Sequence, residues 1–122
     1  MATVLIVEDN PANMTLAVFL LQSAGHKVLK ALDAEAGLSL ARKEQPNLIL
    51  MDIQLPGMDG LQATAMLKGS ELTRNIPVIA LTALAMKGDE ERIRAAGCDG
   101  YIAKPMRYQE FLATIESQLS RI

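Results

Sequence analysis

The sequence contains few of the residues from which disulfides, zinc sites and aromatic surfaces are built. Its 122 residues include one cysteine, Cys98, one histidine, His26, two tyrosines, two phenylalanines and no tryptophan. A single cysteine and a single histidine exclude both a disulfide framework and a zinc site made of these residue types. We expect Cys98 to be a small buried apolar side chain, because unpaired cysteines are mostly buried.

An excess of one charge and a long apolar run are also missing. Twelve basic and fourteen acidic residues give a net charge of −2, and no block of like charge forms a tail. This balance excludes the basic surface of a nucleic-acid-binding protein. No apolar stretch has the length of a membrane span, and the N-terminus lacks the pattern of a signal peptide. We therefore predict a cytoplasmic protein that contacts neither nucleic acid nor membrane.

The chain does contain enough apolar residues for one hydrophobic core. Half of its residues are apolar, which is sufficient for a domain of this size to fold without disulfides or a structural metal. It shows no internal repeat, low-complexity tract or linker. We predict a single domain over residues 1–122.

Four short apolar runs each end at a polar residue. They are Thr3–Val7 before Glu8 and Asp9, Leu48–Met51 before Asp52, Pro77–Leu81 before Thr82, and Gly100–Ala103 before Lys104. Continuous apolar runs are typical of parallel strands that are covered on both faces, and ligands bind beyond the carboxyl ends of such strands. The sequence thus predicts three carboxylates, a hydroxyl and an ammonium group at one edge of a sheet.

Helical patterns separate these strands. Asn10 is a good N-cap and Pro11 suits the first helical position. The other predicted elements are a helix to about Gly25, a shorter and more exposed strand within His26–Leu32, helices at Asp33–Arg42, Leu61–Lys68 and Ala85–Ala96, and a last helix that contains Phe111 to Ile122. Alternating strands and helices predict an α/β fold, a five-stranded doubly wound parallel sheet with helices on both faces.

The last two helices differ in apolar content. Beside alanines, Ala85–Ala96 has only Met86 and Ile93, so we expect it to be weakly anchored. The final helix has an apolar stripe that should pack on the sheet, consisting of Phe111, Leu112, Ile115, Leu119 and Ile122.

The predicted carboxylate cluster suggests phosphoryl chemistry. Glu8, Asp9 and Asp52 suit Mg²⁺, a hard ion held by a few carboxylates, waters and phosphate. A carboxylate can attack phosphorus to form an aspartyl phosphate, and Lys104 and Thr82 could stabilise the transferred group. The carboxylates in turns or at helix starts are interpreted as structural: Asp59, Asp89 and Asp99.

Four segments resemble the motifs of response-regulator receiver domains. They are Glu8-Asp9-Asn10, Leu50–Pro56, Ala80–Ala83 and Tyr101–Pro105. The resemblance covers essentially the full chain. It implies a flavodoxin-like fold with strand order 2-1-3-4-5 and five helices.

The resemblance also implies a role for each matching residue. Asp52 would be phosphorylated by a histidine kinase or a histidine phosphotransfer protein. Glu8, Asp9, Asp52 and the backbone carbonyl of Gln54 would bind Mg²⁺. Lys104 would contact the phosphoryl group, and Lys104-Pro105 resembles the cis peptide of the family. The switch pair would be Thr82 and Tyr101.

A narrower resemblance concerns the type of receiver. Met51–Pro56, Met86–Arg94 and Gly97-Cys98 are similar to DivK-type single-domain regulators and to the receivers of hybrid kinases, rather than to DNA-binding regulators. This implies a phosphorylation-activated signalling switch of a two-component system or phosphorelay that acts by binding a downstream protein. Enzymatic activity would be limited to Mg²⁺-dependent self-phosphorylation and self-dephosphorylation.

Three alternatives remain open from the sequence. The chain could be a receiver cut from a hybrid histidine kinase. An aspartate-nucleophile phosphatase is disfavoured, because its second acid would have to stand at Gln54. A flavin or nucleotide binder would need a glycine-rich first turn, which Asp9–Ala12 does not provide.

Overall fold

The computed structural model describes residues 2–83 and 87–120 and has five strands alternating with five helices. The elements are β1 (Thr3–Val7), α1 (Pro11–Ser23), β2 (Lys27–Ala31), α2 (Ala34–Glu44), β3 (Leu48–Asp52), α3 (Gly60–Lys68), β4 (Val78–Thr82), α4 (Lys87–Ala95), β5 (Gly100–Ala103) and α5 (Tyr108–Leu119). The strands are parallel in the order β2-β1-β3-β4-β5. This architecture confirms the predicted fold. None of the described helices has both the length and the apolar character needed to cross a bilayer.

The core lies in two layers, one on each face of the sheet. Successive strand side chains point to opposite faces, and Leu5 and Val7 of β1 belong to the cluster that packs with α2 and α3. Val4 and Ile6 belong to the other cluster, which includes buried residues of α1 and α5. Because both faces are covered, the central strands are apolar throughout and polar side chains collect at their ends.

Three helices begin at side-chain caps that the sequence makes recognisable. The side-chain oxygens of Asn10, Asp33 and Asp59 each accept a hydrogen bond from the backbone N–H three residues later, at 3.0, 2.8 and 2.8 Å. Such caps satisfy N–H groups that have no partner within the helix. Asp59 therefore has the structural role that was predicted for it.

Some predicted helix boundaries differ from those in the structure. α1 ends at Ser23 instead of about Gly25, and α2 continues past Arg42 to Glu44. The α2 boundary is set by Gln45, which has a left-handed φ of 49° and ends the helix. The predicted helix residues 85, 86 and 122, including Met86 and Ile122, lie outside the described residues.

The two C-terminal helices are buried to different degrees. Among the residues of α4 whose side chains are described, Ile93 is the buried one. α5 buries Phe111 and Ile115 completely. Cys98 is 8% exposed, as predicted, and burial raises the pKa of its thiol. α5 therefore packs through two fully buried large apolar side chains, whereas α4 packs through one, Ile93, among its described residues.

Candidate functional site

The carboxyl ends of β1 and β3 bring together the three predicted carboxylates. One oxygen from each of Glu8, Asp9 and Asp52 lies within 4.8 Å of the others. Glu8 is fully buried, Asp52 is 2% exposed and Asp9 is exposed. Their placement follows from the parallel sheet, because neighbouring parallel strands end at the same edge.

Lys104 extends from the end of β5 into this cluster. Its Nζ lies 2.8 Å from Oε1 of Glu8 and 3.1 Å from Oδ2 of Asp52. The backbone at this position is fixed by a hydrogen bond from the Lys104 N–H to the Thr82 carbonyl, at 2.7 Å. The Lys104–Pro105 peptide bond is cis, as the sequence resemblance implied.

Burial and charge compete at the ion pairs of the site. Burial and the neighbouring Asp52 raise the pKa of Glu8, although Lys104 and the Asn10 N–H act in the opposite direction. Burial lowers the pKa of Lys104, but its contacts with Glu8 and Asp52 outweigh that effect and raise it. Lys104 is therefore a stable ammonium group that offsets part of the negative charge of the cluster.

Backbone N–H groups orient the two buried carboxylates. The Gln54 N–H donates to Oδ1 of Asp52 at 2.9 Å, and the Asn10 N–H donates to Oε2 of Glu8 at 3.1 Å. Each buried carboxylate thus has one oxygen facing a backbone donor and the other facing Lys104. This arrangement fixes the side chains before any ligand arrives.

A cleft of about 490 Å³ opens above the carboxylates. It is lined by the predicted site residues Glu8, Asp9, Asp52, Gln54 and Lys104, and also by Asn10, Pro11, Asn13 and Ala83. These last four residues had no predicted role at the site. Asn13 follows the Asn10 cap by one helical turn, so the cap could have identified it as a residue at the mouth of the cleft.

The predicted switch residues lie on the neighbouring strands. Thr82 is fully buried at the end of β4 and is followed by Ala83, which lines the cleft. Tyr101 lies on β5, is half-buried, and donates a hydrogen bond from its hydroxyl to Oε1 of Glu90 on α4. No sequence signal pointed to Glu90. The contact depends on how α4 packs beside β5.

Comparison with known proteins agrees with this geometry. The family "Response regulator receiver domain" matches residues 4–116. The polar-differentiation response regulator DivK of Brucella ovis is 51% identical over 117 residues, covering 96% of this chain and 95% of its own.

Solved structures resemble the whole fold. A putative response regulator from Chloroflexus aurantiacus aligns with a TM-score of 0.94 at 30% identity and covers 98% of both chains. The receiver domain of the sensor histidine kinase PA1611 from Pseudomonas aeruginosa, with a magnesium ion coordinated in its active-site cleft, has a TM-score of 0.91, 36% identity and 98% coverage of both chains. The family matches residues 4–116 and these relatives cover 96–98% of the chain, so this chain belongs to the response regulator receiver domain family.

Proposed function

We propose that this receiver domain, acting as a single unit over residues 1–122, is a phosphorylation-activated switch with Asp52 as the phosphoryl acceptor. The observation that carries the proposal is the setting of the Asp52 carboxylate. It stands at the end of a buried strand and lines the cleft, with Lys104 Nζ on one oxygen and the Gln54 N–H on the other. A carboxylate held in one orientation beside a cation is suited to attack phosphorus.

The proposed reaction transfers a phosphoryl group from a phosphohistidine of a partner protein. An Asp52 oxygen forms the new O–P bond as the P–N bond breaks; the electron pair of the P–N bond returns to the ring nitrogen, and a proton from water makes the departing imidazole of the partner neutral. Lys104 then exchanges its contact with Asp52 for a phosphoryl oxygen, while Glu8, 2.8 Å away, keeps the ammonium group in the cleft. Such a cation stabilises the charge that gathers on the transferred group.

The same residues fit Mg²⁺. Three carboxylates with oxygens within 4.8 Å of one another form a hard oxygen donor set. Glu8, Asp9, Asp52 and the backbone carbonyl of Gln54 would hold the ion, and Lys104 would remain paired with Glu8 beside it. When bound, Mg²⁺ neutralises charge on the phosphoryl oxygens. The magnesium ion in the cleft of the Pseudomonas receiver supports this assignment.

The partners follow from this chemistry. A histidine kinase or a histidine phosphotransfer protein would supply the phosphoryl group, and a downstream protein would bind the phosphorylated form. The DivK relatives are named as response regulators, which supports a signalling role over a metabolic one. A cytoplasmic location remains the expectation from the sequence.

The proposed signal passes from the cleft to the surface through Thr82 and Tyr101. Thr82 ends β4 next to the cleft, and in the sheet register it pairs with Ala103 of β5. Tyr101 lies two residues before Ala103 on the same strand. A Thr82 hydroxyl drawn to a phosphoryl oxygen would open space into which the Tyr101 ring could turn.

The direct test is labelling with acetyl phosphate and Mg²⁺, followed by intact mass spectrometry. Wild-type protein should gain one phosphoryl group, and chelation of Mg²⁺ should suppress the gain. Asp52→Asn should gain none. A matched control is Asp59→Asn, because Asp59 is the N-cap of α3, asparagine also caps helices well, and Asp59 is not among the residues that line the cleft; this variant should be labelled like wild type. Labelling that survives Asp52→Asn would exclude Asp52 as the acceptor.

A further inference from the structure

The contact between Tyr101 and Glu90 joins β5, which carries the proposed switch residue Tyr101, to the neighbouring helix α4. The Tyr101 hydroxyl donates to Oε1 of Glu90, so β5 and α4 are connected by a hydrogen bond to a charged acceptor. Both side chains are half-buried, and Tyr101 packs against the cluster that contains Ile93. Hydrogen bonds to charged groups are stronger than those between neutral groups.

The position of Glu90 on α4 explains why it reaches this ring. Glu90 and Ile93 are three residues apart and therefore lie on the same face of the helix. Ile93 is 1% exposed, so this face is the one that packs on the protein. Glu91, the next residue, is exposed and lies on another face. The hydrogen bond from Tyr101 therefore shows that Glu90 lies on the face of α4 that packs against β5.

The electrostatics at Tyr101 agree with this geometry. The hydrogen bond to Glu90, assisted by burial, raises the pKa of Tyr101, whereas the charge of Arg94 lowers it. Arg94 follows Glu90 by one turn and lines a small cavity of about 300 Å³ together with Tyr101 and Cys98. The net effect of the surroundings is to keep the hydroxyl protonated and donating to α4.

We propose that Glu90 is a positioning residue that holds the Tyr101 side chain against α4. It thereby sets the switching threshold, that is, the concentration of phosphoryl mimic needed to convert half of the protein to the switched state. This inference rests on the proposed function and adds a component to it. For the ring to turn away from α4, the hydrogen bond to Glu90 must first break. The contact therefore belongs to the unphosphorylated state and opposes the transition. A phosphoryl group must overcome it before the surface of α4 changes.

The consequence is measurable as an apparent affinity. When a ligand binds only one of two states, its apparent affinity falls by the fraction of protein in the competent state. Loss of one partly exposed hydrogen bond to a carboxylate should raise that fraction, and hence the apparent affinity for a phosphoryl mimic, by roughly three- to tenfold. Removing the contact should make the switch easier to trigger without touching the cleft.

The first experiment tests the contact itself and needs neither Mg²⁺ nor phosphate. In a Tyr108→Phe background, Tyr101 is the only remaining tyrosine and the chain has no tryptophan, so its ionisation can be followed by ultraviolet absorbance. Glu90→Gln should shift the Tyr101 titration to lower pH. The matched control Glu91→Gln makes the same charge change at an exposed neighbour and should leave the titration in place. An unchanged Tyr101 titration in Glu90→Gln would overturn the proposal.

The second experiment tests the threshold. In the same background, wild-type, Glu90→Gln, Glu90→Ala and Glu91→Gln proteins are titrated with beryllofluoride in the presence of Mg²⁺, with tyrosine fluorescence as the readout. The midpoint should fall modestly in Glu90→Gln, by roughly three- to tenfold in Glu90→Ala and not at all in Glu91→Gln. If Glu90→Ala fails to fold, Glu90→Gln alone decides the direction. A midpoint that is unchanged or raised in the Glu90 variants overturns the proposal.

The proposed function can fail separately from this inference. If wild-type protein is not labelled by acetyl phosphate, the assignment of Asp52 is wrong whatever the Tyr101 titration shows. If labelling succeeds and the Glu90 variants shift neither Tyr101 nor the beryllofluoride midpoint, the receiver switches without a threshold set by Glu90.

Discussion

Gly60 is the residue whose replacement should most clearly damage the site without altering any of its polar groups. It begins α3, and a Cβ atom placed there would lie 2.1 Å from the backbone oxygen of Asp52 and 2.7 Å from Cα of Ile53. Both obstacles are backbone atoms, so no side chain can rotate to make room. In Gly60→Ala the start of α3 and the end of β3 must therefore move apart by about 1 Å.

The size of the effect follows from three contributions. Overpacking of this kind costs about 1–3 kcal/mol. The hydrogen bond from the Gly60 N–H to the Ile53 carbonyl, at 3.3 Å, would weaken, at a further cost of about 0.5–1.5 kcal/mol. Alanine regains up to about 1 kcal/mol through its helix propensity. We expect a net loss of about 2 kcal/mol in the free energy of unfolding, which corresponds to a fall of roughly 6–12 °C in Tm for a domain of this size.

The assay combines urea unfolding with acetyl phosphate labelling. Gly60→Ala should unfold at lower urea concentration and should also be phosphorylated more slowly, because the displaced backbone belongs to Asp52. Gly88→Ala is the matched control, since a Cβ at that helical position meets nothing within 4 Å; it should be neutral or stabilising by up to about 1 kcal/mol. A Gly60→Ala variant as stable and as reactive as wild type would falsify the reasoning from close backbone approach.

Three further outcomes are expected. Asp9→Asn should weaken Mg²⁺ binding, measured by calorimetry, with no loss of apo stability, because removing one of several crowded carboxylates relieves repulsion; undiminished Mg²⁺ affinity would contradict the metal assignment. Burial raises the pKa of the Cys98 thiol, so this thiol holds its proton more strongly in the folded state than in the unfolded chain. The stability advantage of wild type over Cys98→Ala should therefore be fully present below about pH 9 and should decline as pH rises further; urea midpoints whose difference is independent of pH would refute this. Asp99→Ala should lower the free energy of unfolding by about 1–3 kcal/mol, because it removes the acceptor of the Val78 N–H and the ion-pair partner of Lys68, both at 2.9 Å. Acetyl phosphate should still label this variant. Loss of labelling in a folded Asp99→Ala protein would argue against a purely structural role for Asp99.

Local sequence signals determined most of the architecture. The apolar runs that end at Glu8, Asp52 and Lys104 predicted both the strands and the edge where the polar groups gather, because strand ends and breakers are encoded within a few residues. The caps at Asn10 and Asp33 located helix starts for the same reason. Helix ends were predicted less well, as at Gln45, whose left-handed backbone is not a preference of that residue type.

Tertiary packing decided the features that depend on distances between remote segments. No local pattern indicates that Glu8 is fully buried and paired with Lys104, or that Glu90 accepts the hydrogen bond of Tyr101. The need for glycine at position 60 likewise appears only when α3 is packed against the end of β3. The sequence by itself specified which groups reach the edge of the sheet. Only the packed chain specified their contacts, because a hydrogen bond or a clash is decided by shifts of less than 1 Å between elements that are far apart in sequence.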